Sequence, residues 1–486
     1  MKKTIKISTL LLLFISVISC DSYLDVNDAL DNQPLDQLNP NELMVGAQET
    51  TAATFTNRLN RVGNFMAVAW SGDYQAVQSA YPAESTYLFT STFYNDVWDD
   101  LYRYTSNLTT IENYNDGQDW SNHKAAAKIL KAFYLQYIVD LYGNAPFSEA
   151  HNPAILFPVY DNGEDIYKGL ITLTDEAIAL IDNNSNALSM NATDITFQGN
   201  MTLWKQFANT VKLRLLNRLT IKAGQDANLN TYVQSKFAEL NGVTFISQNV
   251  MVNPGYSNQD NAQNPFWESY GANVAGVATF NNLQTGPSQF AFNLLDNSND
   301  PRLNRLWKPG SGIFQGTQQN GGGGAANIGD GILTGPDQPL PIMLAAESYL
   351  LQAEAIERGF LTGGSAQALF NQGVAASFSH LGAGSSTAYL AANSTDQRLA
   401  YGAGNNLEAI LTQKWIALTS VSGAELWIEY NRTGFPANLP LPAGSTDPNI
   451  PVRLLYPASE YSGNSANVVN QERADAFTSK VFWDVN

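Results

Sequence analysis

Apolar side chains recur at helical spacing along much of the chain. His123 to Tyr142 places Ile129, Leu130, Phe133, Tyr134, Tyr137, Ile138 and Leu141 on one stripe, and Gly143 and Pro146 close the segment. Asp165 to Asp182 repeats the pattern with Ile166, Leu170, Leu173, Ala177, Leu180 and Ile181. Trp204 to Leu219 carries Phe207, Ala208, Val211 and Leu215. A further helix is expected to open at Pro341, with Ala345, Tyr349, Leu350, Ala353 and Ile356 inward and Gly359 as its stop. Leu407 to Leu418 holds Ile410, Leu411, Trp415 and Leu418. Amphipathic helices joined by Gly, Pro and Asn loops point to stacked helix pairs. Between about 245 and 340 the period fails. Asn-Pro, Gly-Pro and Asp-Pro breaks and the run Gly321 to Gly324 mark that stretch as irregular. The tail from Phe435 is loop-like, and its late aromatics Phe482 and Trp483 are expected to pack back on the core.

The N-terminus sets the compartment. Lys2, Lys3 and Lys6 precede the apolar run Thr9 to Ile18, which is too short to span a bilayer. The sole cysteine, Cys20, follows Val17-Ile18-Ser19, a sequence resembling a bacterial lipobox. Residues 1–19 are therefore read as a signal peptide, Cys20 as the lipidation site and 20–40 as a tether. Lipidation would also remove a lone thiol from an oxidising compartment. Losing the three signal lysines takes the formal charge from -18 to -21. So acidic a body argues against nucleic acid and against direct docking on anionic lipid. Charged residues are 14% and aromatics 11%, which leaves a polar, ring-rich surface of the kind that suits sugar.

Catalytic constellations are not visible. The three histidines, His123, His151 and His380, lie far apart without metal-ligand spacing, and neither GxSxG nor HExxH occurs. Asp99-Asp100 and Glu425/Glu429 are the obvious carboxylate pairs. Both read as solvated or core-edge groups rather than a glycosidase pair. Gly321 to Gly324 lacks the GK[ST] ending of a phosphate loop. No enzyme activity, cofactor or metal is expected.

A set of short motifs carries a resemblance. Cys20-Asp21-Ser22-Tyr23-Leu24-Asp25 opens it, and Asp140-Leu141-Tyr142-Gly143-Asn144-Ala145-Pro146-Phe147 is its most specific member. Trp204-Lys205-Gln206-Phe207, Asn253-Pro254-Gly255-Tyr256, Asp300-Pro301-Arg302, Ala353-Glu354-Ala355, Gln413-Lys414-Trp415 and Arg432-Thr433-Gly434-Phe435-Pro436 follow in order. Together they resemble the SusD/RagB nutrient-binding outer-membrane lipoproteins of Bacteroidetes, in the SusD-like branch. The resemblance implies a mainly α fold, a tetratricopeptide-like helix-pair scaffold with a loop-rich irregular lobe. It makes 41–486 one domain, with the lobe at about 245–340, where length alone suggests several. It also implies attachment to the outer membrane at the cell surface through the lipid anchor. The partner implied is a SusC-like TonB-dependent transporter, for which the protein acts as a hinged lid.

A sugar site needs flat rings interleaved with hydrogen-bonding side chains. Two stretches have that chemistry. The first is Trp70, Asp73, Tyr74 and Gln75, with Gln78 and Tyr81; the second is Asn261, Gln263, Trp267, Tyr270, Asn273, Phe280, Trp307 and Phe314. Trp70 and Trp267 lead because polar turn residues flank both. Trp98, Trp204, Trp415, Trp427 and Trp483 read as structural. A few stacked rings at about 1 kcal/mol each give micromolar to millimolar affinity. The expected ligand is a neutral glucan, since no basic cluster accompanies the rings. A peptide ligand of the RagB kind, a secreted glycoside hydrolase and a purely structural subunit are the competing readings.

Overall fold

A computed structural model describes residues 38–72, 81–184, 186–309 and 326–486. Cys20, the signal segment, Asp73, Tyr74, Gln75, Gln78, Phe314 and Gly321 to Gly324 lie outside the described residues.

Helix α1 (Pro40–Thr54) opens on a capping box. Asn39 accepts from the Asn41 amide at 2.9 Å, Glu42 accepts from the Asn39 amide at 2.9 Å, and Pro40 fills the first turn, where a missing N–H costs nothing. The rod then passes through a π-helical turn, Phe55–Leu59, into α2 (Asn60–Met66). Helices α3 (Asn95–Asn113), α4 (Ser121–Tyr142), α5 (Gly163–Asn183), α6 (Met201–Ala223) and α7 (Ala227–Ala238) follow; α3 packs on α1, and each of the others on the one before it. After the irregular stretch come α8 (Ala345–Glu357), α9 (Ala366–Leu381), α10 (Asn406–Leu418) and α11 (Gly423–Thr433), again packed in sequence. The fold is the mainly α, helix-pair scaffold expected. The helix placed at Pro341 starts instead at Ala345: Leu340–Met343 is a strand, because its extended backbone pairs with Val250–Val252.

The region 245–340 is stitched rather than loose. Trp70–Ser71 pairs antiparallel with Gly286–Pro287, Val250–Val252 with Leu340–Met343, and Trp307–Pro309 with Ala326–Ile328. Each ladder ties the lobe to the scaffold or to itself. Val68 shows the cost of the first attachment. This β-branched residue is held at φ 58°, in the left-handed region, beside a ladder in which Ser288 bonds both the Val68 and Ala69 carbonyls.

Helices α4 and α6 are buried on every face, as in the run Phe133 to Tyr137, so they form the centre rather than a surface layer. Their polar residues meet in one ionic network. Arg218 of α6 bonds Glu425 of α11 at 2.9 Å and also pairs with Glu429, with Asp140 of α4 at 3.6 Å. Arg214 pairs with Glu347 of α8 at 2.8 Å and donates to Tyr137 at 3.0 Å. Arg432 joins Glu354 at 2.7 Å to Glu429 at 2.6 Å, and Lys414 lies 3.3 Å from Glu429. Glu425 and Glu429 are therefore buried in the core, deeper than the solvated or core-edge position expected of them; Arg218, which pairs with both, comes from a helix some two hundred residues earlier. Burial raises the Glu425 pKa, but Arg218 and Arg214 outweigh it and hold the carboxyl below its usual range. The late aromatics do fold back: Trp483 is buried and its indole donates to Asp140 at 2.7 Å.

The α2–α11 crossing has no room for side chains. A Cβ on Gly63 would lie 2.0 Å from the Gly423 carbonyl carbon, and one on Gly423 would lie 2.1 Å from the Asn60 oxygen. Asn60 and Asn64 close the joint, accepting from the Gly423 and Ser420 amides at 2.9 and 3.0 Å.

Replacing Arg218 with leucine removes the cation beside Asp140, the nearer of the two that pair with Glu425, and one of the three that pair with Glu429, all in a dry interior. Urea unfolding of the Arg218→Leu variant is expected to show a loss of about 3–5 kcal/mol. A change within about 0.5 kcal/mol would mean that water reaches these carboxylates.

Candidate functional site

The π turn creates the site. An i→i+5 turn carries an extra residue and widens the helix locally, and such turns concentrate at functional positions. On one side of it Asn57, Arg58 and Arg61 face a cleft of about 390 Å³, completed by Glu49, Asp100 and Tyr104 of the flanking helices. Two short lobe helices, Pro265–Tyr270 and Phe280–Gln284, form the far wall with Ser269, Tyr270 and Asn281. Asn264 caps the first, accepting from the Trp267 amide at 2.9 Å, and Thr279 caps the second at 3.1 Å. The Asn264 amide also donates to the Gln338 carbonyl at 2.7 Å, which pins this wall to the rest of the lobe.

The polar side chains of the cleft are held in place. Arg58 pairs with Asp96 at 2.9 Å. Arg61 binds Glu84 through two nitrogens at 2.9 and 2.7 Å and lies over the rings of Tyr81 and Tyr94. Tyr94 donates to the same Glu84 oxygen at 2.7 Å. Burial raises the Asp100 pKa, with the neighbouring Asp96 adding to it; burial also raises that of Glu49, partly offset by the Tyr256 hydroxyl. On the lobe Phe280 is 50% exposed, and Val274, Val277 and Leu283 are exposed as well. The arrangement offers donors and acceptors next to the half-buried ring of Tyr104.

The sequence-predicted residues fall into three groups. Asp73, Tyr74 and Gln75 lie outside the described residues. Asn261 is exposed, with φ 58°, and Trp267 is half-buried on the lobe wall. The others are corrected by burial. Trp70 has no exposed surface; its indole donates to Ser420 at 2.8 Å and its ring meets Phe65 and Tyr270 edge-on. Tyr81 is equally buried against Phe65, bonded to Thr285 at 2.5 Å. Trp307 lies in the core, Tyr270 shows only 2% of its surface, and Gln263 donates its amide inward to Asn258 at 2.8 Å. Their faces are spent on packing. Tyr270 is the one member of the loop set among the described residues that lines this cleft, and Phe280 precedes its lining residue Asn281; Asn57, Arg58, Arg61, Asp100 and Tyr104 were missed. The signal for these was the spacing 57, 58, 61, one polar face at i, i+1 and i+4 in an otherwise buried helix.

A helix-pair scaffold that carries a stitched lobe and a polar, ring-edged cleft between them defines a class of binding scaffold. The chain belongs to the SusD-like family: a family model described as "Starch-binding associating with outer membrane" matches residues 31–457. Solved structures agree in fold. A chitin-binding protein is 24% identical over 92% of this chain and 100% of its own, with a TM-score of 0.74. A chitin-binding SusD homologue from Flavobacterium johnsoniae is 22% identical over 91% and 98%, at 0.73. A SusD homologue from Bacteroides thetaiotaomicron is 20% identical over 93% and 100%, at 0.71. No curated protein matches the chain.

Removing the Trp70 ring empties a core position that also holds Ser420. Trp70→Ala is expected to lose about 3–5 kcal/mol of stability. Chemical denaturation checks this, and unaltered stability with weakened ligand binding would return the ring to the site.

Proposed function

We propose that the protein is a surface lipoprotein, anchored through Cys20 in the outer membrane, that captures an oligosaccharide in the π-turn cleft and passes it to a SusC-like TonB-dependent transporter. One observation carries the glycan reading: a shallow cleft lined by ion-paired polar groups and by the half-buried ring of Tyr104. Sugar hydroxyls need paired donors and acceptors, and the C–H face of the ring needs an apolar plane. The family description and the chitin-binding relatives support the same ligand class. A neutral glycan fits best, because the cleft's two arginines are each already paired with a carboxylate. Within that class, glucans and N-acetylated β-glycans are the two polymers to compare. The role is capture without turnover. A peptide reading draws on the same charged residues, but Arg58 and Arg61 would have to abandon Asp96 and Glu84 to take a peptide carboxylate.

Affinity electrophoresis in gels containing glucans or soluble chitin oligomers tests the cleft. Tyr104→Ala and Phe280→Ala are each expected to weaken binding of the retained glycan about fivefold, and the double variant by more than tenfold. Retention unchanged in the double variant, with its fold intact, would rule out this cleft. For the anchor, Cys20→Ala is expected to release the protein from the membrane fraction and abolish incorporation of labelled fatty acid. Continued membrane association would overturn the lipoprotein reading.

A further inference from the structure

The other side of the π turn faces a second cavity, of about 190 Å³, that the glycan reading does not use. The cleft takes Asn57, Arg58 and Arg61 from this helix; the cavity takes Thr56 and Asn60. Met251, Phe266, Ile332, Pro339, Pro341 and Val421 make most of its lining apolar, and no charged side chain lines it. An ion entering would lose its hydration without a counter-charge, so the cavity excludes ions.

His380, in the last turn of α9, supplies the chemistry. Its tautomer follows from a backbone group. The Ala345 amide, one of the unpaired donors at the start of α8, donates to Asn249 Oδ1 at 3.0 Å. An N–H can only donate, so the Asn249 amide is fixed in orientation and its Nδ2 is the group 3.1 Å from His380 Nδ1. Nδ1 must therefore accept, and the proton of the neutral ring sits on Nε2. Burial, with no carboxylate partner, lowers the ring's pKa to about 4, so the neutral form persists at pH 7. Asn249 and Ala345 line an outer cleft; His380 lines both that cleft and the inner cavity. Among the described residues no protein acceptor meets Nε2–H.

We propose that the inner cavity is a binding site for a small neutral acyl group without an N–H or O–H, an ester or a fully N-substituted amide, whose carbonyl oxygen accepts from His380 Nε2–H while its methyl lies against Met251, Phe266 and Val421. A carbonyl suits the site better than a hydroxyl. A hydroxyl brings a hydrogen that needs an acceptor, and the side-chain carbonyls of the lining are engaged. Asn60 Oδ1 accepts from the Gly423 amide at 2.9 Å and from Asn64 at 2.7 Å. Gln338 Oε1 accepts from the Thr334 and Gly335 amides at 2.7 and 3.2 Å. A carbonyl leaves nothing unpaired. The site is independent of the glycan reading, because the two cavities share no lining residue.

N,N-dimethylacetamide, which has a carbonyl and no N–H, is the probe; long-range 1H–15N spectra and methyl spectra of the full chain labelled in its histidines and methionine methyls are the readout. The free protein is expected to show His380 as the Nε2–H tautomer. Titration with the probe is expected to move that resonance and the Met251 methyl along one saturable curve. His380→Phe is expected to weaken the probe about fivefold, the loss of one hydrogen bond. His380→Gln keeps an N–H donor, and is expected to stay within about twofold of the parent. An Nδ1–H tautomer, a shift that does not saturate, or equal binding by His380→Phe and the parent would overturn the proposal. So would equal losses in the two variants.

Discussion

The architecture depends on the ionic cluster around Arg218. Moving an ion from water into a dry interior costs several kcal/mol, and mutual attraction repays this only when partners sit in good geometry. Here Arg214, Arg218, Lys414 and Arg432 face Asp140, Glu347, Glu354, Glu425 and Glu429 across helices α4, α6, α8, α10 and α11. The cluster adds little net stability over an apolar core of the same volume. Its weight lies in what it forbids. A helix pair that slid by one turn would strand a charge, so a single set of neighbours survives. The cluster thereby joins elements near the N-terminus to elements near the C-terminus, a connection that consecutive pairing of helices does not supply.

That fixed frame determines how the cleft works. Its polar groups project from helices already locked by the core, and Arg58–Asp96 and Arg61–Glu84 hold the guanidinium planes still before any ligand arrives. Ordering a long side chain at the moment of binding costs about 0.5–1.5 kcal/mol. A site that has already met that cost can bind weakly polar ligands through shallow contact. The lobe contributes the opposite wall through two short capped helices, while the scaffold wall belongs to long packed ones.

Much of the scaffold was legible in the chain. The periodic stripes at 123–142, 165–182 and 204–219 became α4, α5 and α6, and the aperiodic stretch became the lobe. The site was less legible, for a physical reason. Trp70 is followed by Ser71 and Gly72, and such neighbours suggest exposure; but its indole hydrogen meets Ser420, 350 positions away, and sequence proximity carries no trace of that bond. The same blindness put Glu425 and Glu429 on a solvated face or at the core's edge. Charged side chains are almost never fully buried unless paired; Arg432 stands three residues from Glu429 on one helix, but Arg218, which pairs with both carboxylates, becomes visible as a partner only in three dimensions. Arg58 and Asp100 were hidden the other way round, as ordinary helix-surface charges.

The π turn links these observations. In an α-helix each residue advances the face by about 100°, so one extra residue inserted at Phe55–Leu59 rotates everything after it by that amount. Downstream of the insertion, Asn60, Gly63 and Asn64 meet the Ser420–Gly423 turn, and Arg61 meets Glu84. Upstream, Leu43, Met44 and Ala47 stay on the core side of α1. No regular α-helix over 40–66 could satisfy both halves. The residues on either side of the inserted turn then line separate cavities, the ion-paired cleft and the neutral pocket of His380. A single local irregularity thus reconciles two packing faces and divides the molecule's polar chemistry between two sites.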